Sequence, residues 1–489
     1  MRAAILEEET GALPDRIAAA RLTPEERRAI VTCAIDLIRT IRARSRPSIM
    51  QGFLTEYGLS TREGVALMCL GEALLRVPDT ETIDSLIEDK IGTSDWAAHL
   101  GHSSSPLVNA STWALLLTGK VLSESEHGLA GVPHEAIRRL GEPVIRAAVA
   151  HAMREMGRHF VFGRDMREAK DRAVSMESKG YSFSYGMLGE AARTEADAHR
   201  HYVAYSDSIG ALADLGRDLG LYDRPGVSVK LSALHARYEF GQRERVMTEL
   251  VARLRSLELL ARSAGIGLTV DAEDAERLDL SLGVIEAVLA DSALSGWDGF
   301  GVVVQAYCKR APYVIDWFYE LAGLLDRHIM IRLVKGAYWD SEIKRAQVLG
   351  LNGFPVYIRK ASTDVSYLTC TRKLLGMTDR IYPQFATHNA HTMAAVVHMA
   401  EDPSRFEFQR LHGMSEALHD TVREAHGVRS RIYAPVGAHR DLLAYLVRRT
   451  WLLNNGRRLL PPSRDCSSDI TTRLSGCYRT SANRWRSRL

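Results

Sequence analysis

The chain has 489 residues, 46% of them hydrophobic and 25% charged, with a formal net charge of +3. That composition is ordinary for a globular protein, too near neutral for a dominant nucleic-acid-binding field, and long enough for a barrel plus roughly 150–180 further residues. Six scattered cysteines without a CxxC pair speak against a disulfide framework and against a thiolate zinc site.

The opening segment MRAAILEEETGALPDRI is acidic and broken rather than a secretory signal. No apolar run approaches the length of about 20 residues that spans a bilayer. The expectation is a cytoplasmic protein, at most peripheral to a membrane. Residues 1–175 read as almost wholly helical. Thr23-Pro24-Glu25-Glu26 joins an N-cap, a proline at the first helical position and a capping-box glutamate. Ser60-Thr61-Arg62-Glu63 repeats the signal before a helix with Ala66, Leu70, Ala73, Leu74 and Val77 on one face. Further helices are predicted over 81–92, 106–122 and 141–157, with loops at 98–106 and 122–134. This organisation predicts a helical arm (1–60), lying against the C-terminal domain, and a small helical domain (61–175).

From residue 180 the pattern changes. Eight β-branched or aromatic stretches occur at 180–185, 227–231, 267–274, 300–307, 329–339, 381–388, 406–414 and 431–437, separated by segments long enough for helices. Strands alternating with helices predict an α/β fold, a (βα)8 TIM-type barrel over 176–449. Such barrels carry their chemistry at the strand C-termini, where this chain places Lys230, Asp271, Glu273, Gln305, Lys335 and His388.

Lys230 and Asp271 end neighbouring strands, where charge is not cheaply buried alone. They must pair with each other, as a structural ion pair, or face a ligand. Arg332, inside the apolar run IMIRLVKGAYW, needs an anionic or carbonyl partner, from the protein or from a cofactor. Gln305, in VVVQAY, needs hydrogen bonds that a nucleotide ring edge or a neighbouring strand would each supply. His388 reads as metal ligand, base or cofactor donor, and an oxygen-rich divalent site from Asp271, Glu273 and His388 is the metal alternative. Arg448-Arg449 form the strongest anion-binding pair, or else a solvated helix end. No GxGxxG, P-loop or GxSxG motif is present, which disfavours a Rossmann site and a serine hydrolase.

Several long motifs resemble the proline dehydrogenase barrel of the proline utilisation A family. They are SVKLSALHARY, TVDAEDAERLDLSL, VVVQAYCKRA, MIRLVKGAYWDSEIKRAQ, FPVYIRKASTDVSYL, PQFATHNAHT, FEFQRLHGM and RIYAPVGAHRDLLAYLVRR, with GVALMCLGEALLRVPD, VNASTWALLLTGK and GYSFSY ahead of them. The resemblance covers roughly residues 20–449. It implies an FAD-dependent enzyme that oxidises L-proline to 1-pyrroline-5-carboxylate and passes electrons to a membrane quinone. It further implies that Arg448, Arg449 and Lys230 grip the substrate carboxylate, with Asp271 holding Lys230. Tyr338, Tyr433, Tyr445, Ala337 and Leu411 would wall the ring, and Glu190 would gate the site by pairing with Arg448. Gln305, Arg332, Val334, Gly336, Trp339, Thr363, Ala386, Thr387, His388, Asn389 and Gln409 would contact FAD, with Ala337 beside them.

Three departures from the family pattern stand out. Gly186 occupies a position where the family carries an acid. After Arg449 the text TWLLNNGRRLLPPSRD replaces the expected helix, and residues 450–489 hold eight arginines, no lysine and two acidic residues. That predicts a disordered basic tail or a displaced reading frame, and with it a competing expectation, a non-catalytic barrel that retains FAD poorly. Neither an aldehyde dehydrogenase half nor a ribbon-helix-helix module is seen, so no nucleic-acid partner is expected.

Overall fold

The computed structural model describes residues 1–44, 79, 82, 161–213, 215 and 218–437. The chain divides into two compact units. The described part of the first comprises Met1–Arg44 and Asp165–Val436, and the second, Ser45–Arg164 with Gly437–Leu459, lies almost wholly outside the described residues. So do the Ser60 capping box, the helices expected over 81–92, 106–122 and 141–157, the 450–489 tail, and Tyr445, Arg448 and Arg449.

Two helices open the first unit, α1 (Glu9–Ala20) and α2 (Pro24–Arg44). The capping box read at Thr23 closes α2 in both directions. Thr23 N donates to Glu26 Oε2 at 2.7 Å, and Glu26 N donates to Thr23 Oγ1 at 3.1 Å. Next in the unit come α3 (Met166–Glu177), which packs on the first strand rather than ending a separate domain, and then β1 (Tyr181–Met187) and α4 (Glu195–Leu212). The chain continues through β2 (Gly226–Val229), α5 (Arg243–Ala264), β3 (Gly267–Val270), α6 (Leu278–Leu289), β4 (Phe300–Gln305) and α7 (Ala311–Leu324). It ends with β5 (Ile329–Val334), α8 (Trp339–Val348), α9 (Lys360–Leu375), β6 (Ile381–Ala386), α10 (Ala390–Met399), β7 (Glu407–Leu411), α11 (Glu416–His426) and β8 (Arg429–Val436).

The eight strands are parallel and close into a barrel in chain order, β8 pairing with β1. All eight apolar stretches became strands. Seven of them end short of the expected C-terminus, because the polar residues there leave the ladder to form the mouth, whereas β1 runs two residues past its expected end to Met187. At the end of β5, Gly336 turns the chain with φ +136°, and a Cβ there would sit 2.4 Å from the Tyr307 ring. Helix α1 packs on α9, and α2 packs on α10 and α11. The Glu9 carboxylate accepts from Ile358 N at 2.8 Å and from Ser362 Oγ at 2.5 Å, tying the arm to the start of α9.

Alternation along the strands sorts the two faces. Phe183, Tyr185, Val227, Val229, Leu268, Ile331, Leu333, Phe385 and Phe408 turn outward into an apolar layer under the helices and are buried. Inward positions are mostly polar. At the N-terminal end of the barrel, the fully buried Glu407 carboxylate accepts from Arg431 Nε at 2.7 Å, Gln409 Nε2 at 2.8 Å and Gln384 Nε2 at 3.0 Å. Arg431 also donates to the carbonyls of Phe183, Arg224 and Tyr222, which closes the floor.

One buried charge has no such partners. Glu258 lies on the apolar stripe of α5 with Leu250, Leu254, Leu257 and Ala261, fully buried, and neither carboxylate oxygen has a hydrogen bond. Burial therefore pushes its pKa well above the ordinary 4.5. A raised folded-state pKa means that stability is greatest below the unfolded value and falls as pH climbs toward the folded one. Glu258→Met is expected to stabilise the chain by about 1–3 kcal/mol at about pH 8 and by less near about pH 5, read by urea denaturation.

Candidate active site

The C-terminal mouth of the barrel is organised by one carboxylate. Asp271, just past β3, accepts from Arg332 Nη1 at 3.0 Å on Oδ1, and from Tyr433 Oη at 3.1 Å and Lys230 Nζ at 3.4 Å on Oδ2. Arg332 starts on β5 and crosses the lumen. Its Nη2 donates to Ser184 Oγ on β1 and Ser228 Oγ on β2, both at 3.0 Å, and the two serines are 2.9 Å apart. Its guanidinium also lies over the Tyr433 ring, 5.3 Å from the centroid. Burial alone would depress the Lys230 ammonium, but Tyr433 and Asp271 beside it offset this and hold its pKa well above the ordinary lysine value. Two cations thus share one carboxylate. The cluster carries one net positive charge in a half-buried mouth and is suited to receive an anion.

The other expected residues reach the rim through strand register. Gln305 pairs with Val334, Ala386 with Gln409, and Leu411 with Tyr433. Ala337, Tyr338 and Trp339 follow the Gly336 turn, and Thr387, His388 and Asn389 lead into α10. Asn389 caps that helix, its Oδ1 accepting from Thr392 N at 2.9 Å. Thr363 is buried in the first turn of α9.

Several of these groups are already engaged within the protein. Gln305 Nε2 donates to the Glu273 carbonyl at 2.8 Å and its Oε1 accepts from Ala337 N at 3.2 Å. The Trp339 indole donates to the Tyr357 carbonyl at 2.8 Å. Glu273 accepts from Ser232 N at 3.0 Å and from Arg277 at 3.3 Å. The divalent alternative built on Asp271, Glu273 and His388 is corrected accordingly. Both carboxylates are occupied by protein donors, and no cluster among the described residues could hold a metal.

Sequence reading missed four supporting residues. Ser184 and Ser228 anchor Arg332. Ser232 fastens the loop that carries Glu190, its Oγ accepting from Ala191 N at 3.0 Å and its carbonyl from Ala192 N at 2.8 Å. His419, with its pKa pushed down to about 3 by burial, bridges Ser430 Oγ and the Thr387 carbonyl, both at 3.0 Å, and so steadies the end of β6. The available signal was small hydroxyl residues at inward positions of bulky strands, as in SFSYG and VSVK.

A family model described as proline dehydrogenase matches residues 169–458. The chain belongs to the proline dehydrogenase family. Bifunctional protein PutA of Salmonella typhimurium is 51% identical over 461 residues, covering 92% of this chain and 35% of that protein. Its Escherichia coli counterpart is 53% identical over 423 residues, covering 85% and 32%. A point variant of Bradyrhizobium japonicum proline utilization A superposes with a TM-score of 0.70 at 47% identity, over 92% of this chain and 45% of that one. The chain therefore spans about a third of the length of these curated relatives. A second model, described as the DNA-binding domain of proline dehydrogenase, matches residues 49–160. That description weighs against the expectation of no nucleic-acid partner, which had rested on the lack of a ribbon-helix-helix pattern.

Removing Asp271 from this proline dehydrogenase family barrel leaves two buried cations facing each other. Asp271→Ala is expected to lower the unfolding free energy by about 3–5 kcal/mol, with a smaller loss for the isosteric Asp271→Asn, both measured by urea denaturation.

Proposed function

We propose that this chain oxidises L-proline to 1-pyrroline-5-carboxylate, using FAD held at the C-terminal mouth of the barrel. The observation that carries the reading is the Lys230–Asp271–Arg332 cluster, a net cation set at the functional end of a proline dehydrogenase family barrel. Its charge suits the carboxylate of an amino acid.

Residues on the rim fit FAD. Arg332 Nε is a buried donor and Gln409 Oε1 a buried acceptor, each without a hydrogen bond in the protein, and Gln305 has one amide hydrogen left. Unspent donors and acceptors lining one lumen match a flat heteroaromatic ring that bears both kinds of group on its edge. When bound, FAD supplies the acceptor for the hydride that leaves the ring carbon next to nitrogen.

The rest is positioning by this chain's own residues. Lys230 binds the substrate carboxylate, a task to which the family resemblance also assigns Arg448 and Arg449, which lie outside the described residues. Asp271 fixes the direction of the lysine, and the raised pKa of Lys230 keeps the ammonium charged across neutral and alkaline pH. Tyr338, Tyr433, Ala337 and Leu411 wall the ring and exclude water; the family resemblance adds Tyr445 to that wall and gives Glu190 and Arg448 the gate, with Tyr445 and Arg448 outside the described residues. Arg332 would hold a fixed positive charge toward the cofactor when it is bound, which would favour negative charge developing there. Electrons then pass to a quinone at a membrane surface, reached by peripheral contact. No helix among the described residues is long and apolar enough to cross a membrane.

The test is the visible spectrum of the purified full chain with FAD, before and after anaerobic L-proline. Bleaching of a flavin band near about 450 nm supports the reading, and a band that proline leaves unchanged contradicts it. Failure to retain any flavin supports the non-catalytic barrel instead. In the active chain, Lys230→Ala is expected to lower kcat/KM by about 2–5 kcal/mol, chiefly through KM, as a lost carboxylate anchor does.

A further inference from the structure

On β1, Ser184 and Gly186 both face the lumen, and Ser184 is in register with Tyr433 of β8. The Tyr433 ring leans along β1 across the empty side of Gly186. A Cβ at residue 186 would lie 2.4 Å from Tyr433 Oη and 2.7 Å from its Cζ. Gly186 is not among the residues with positive φ, so its backbone does not demand glycine. What glycine provides here is space, and Tyr433 fills it to reach Asp271 Oδ2 at 3.1 Å.

That contact changes what Lys230 can do. Oδ2 is shared between Tyr433 and Lys230, and the ammonium sits at 3.4 Å, beyond the about 2.7–2.9 Å of a tight charge-assisted bond. Among the described residues, Asp271 is the one side chain that accepts a hydrogen bond from this ammonium. The lysine is held loosely, with hydrogens to spare for an anion.

We propose that Gly186 is a positioning residue for substrate affinity: by leaving room for Tyr433 to cap Asp271, it keeps the Lys230 ammonium available to the substrate carboxylate. This rests on proline oxidation as the activity. A side chain at 186 displaces Tyr433 from Oδ2, and Asp271 then draws Lys230 in and withholds it from the carboxylate.

The experiment combines kinetics with a direct probe of Tyr433 in the full chain. Gly186→Ala is expected to raise KM for L-proline about tenfold with kcat changed by less than about twofold, the weight of one hydrogen bond to a charged group. Tyr433→Phe, which leaves β1 untouched, is expected to do the same, and the double variant to add nothing further. With 3-fluorotyrosine placed at residue 433, Gly186→Ala should shift the fluorine resonance in the direction given by Asp271→Asn. An unmoved resonance, an unchanged KM in Tyr433→Phe, or additive effects in the double variant would overturn the proposal. Failure of the activity itself is separate. It appears as a native chain that does not turn over proline, and the substrate half of the inference then falls with it.

Discussion

A buried guanidinium must have its charge answered, and in this barrel Asp271 answers it. Arg332 projects from an apolar strand across the lumen, where an unpaired charge would cost several kcal/mol. Asp271 takes one of its nitrogens while Ser184 and Ser228 take another, so β1, β2, β3 and β5 are joined through a single side chain. The same carboxylate then aligns Lys230 and Tyr433. Structure and function meet in one group. The network that lets the barrel carry a polar interior is also the one that presents positive charge at its mouth. At the opposite end, Glu407 and Arg431 close the floor by the same logic, but every donor is spent on protein acceptors and nothing faces a ligand.

Much of this was legible in the chain. Short apolar runs separated by helical lengths marked all eight strands, because a parallel sheet covered by helices demands β-branched residues on its outward face. The charged residues that ended those runs marked the mouth, since a lysine or aspartate after VSV or LTV has to leave the ladder to find a partner. Less legible was which partner each would take. Gln305 was open between a cofactor and a neighbouring strand, and it bonds the backbone at Glu273 and Ala337 with one amide hydrogen left over. Glu273 looked available to a metal, yet it serves the chain after β2. Such choices depend on distances across the barrel, between residues far apart in sequence. Ser184, Ser228, Ser232 and His419 were invisible for the same reason. Their side chains are ordinary until Arg332, the β1 loop or Thr387 arrives beside them.

Gly186 shows how a departure from a family pattern acquires meaning from packing. By resemblance alone it reads as a missing acid. In the structure it is the space that Tyr433 occupies while its phenol donates to Asp271. The family relation, about half identity over nearly the whole chain, and the local geometry therefore bear on different questions. The first identifies the class of barrel, and the second identifies how this member arranges its charges.

The most direct measurement is a crystal structure of the full chain with FAD and L-proline bound. The account predicts the proline carboxylate within hydrogen-bonding distance of Lys230 Nζ, while Asp271 still holds Arg332 and Tyr433. A carboxylate placed away from Lys230, or an Asp271 released from Arg332 on binding, would contradict it.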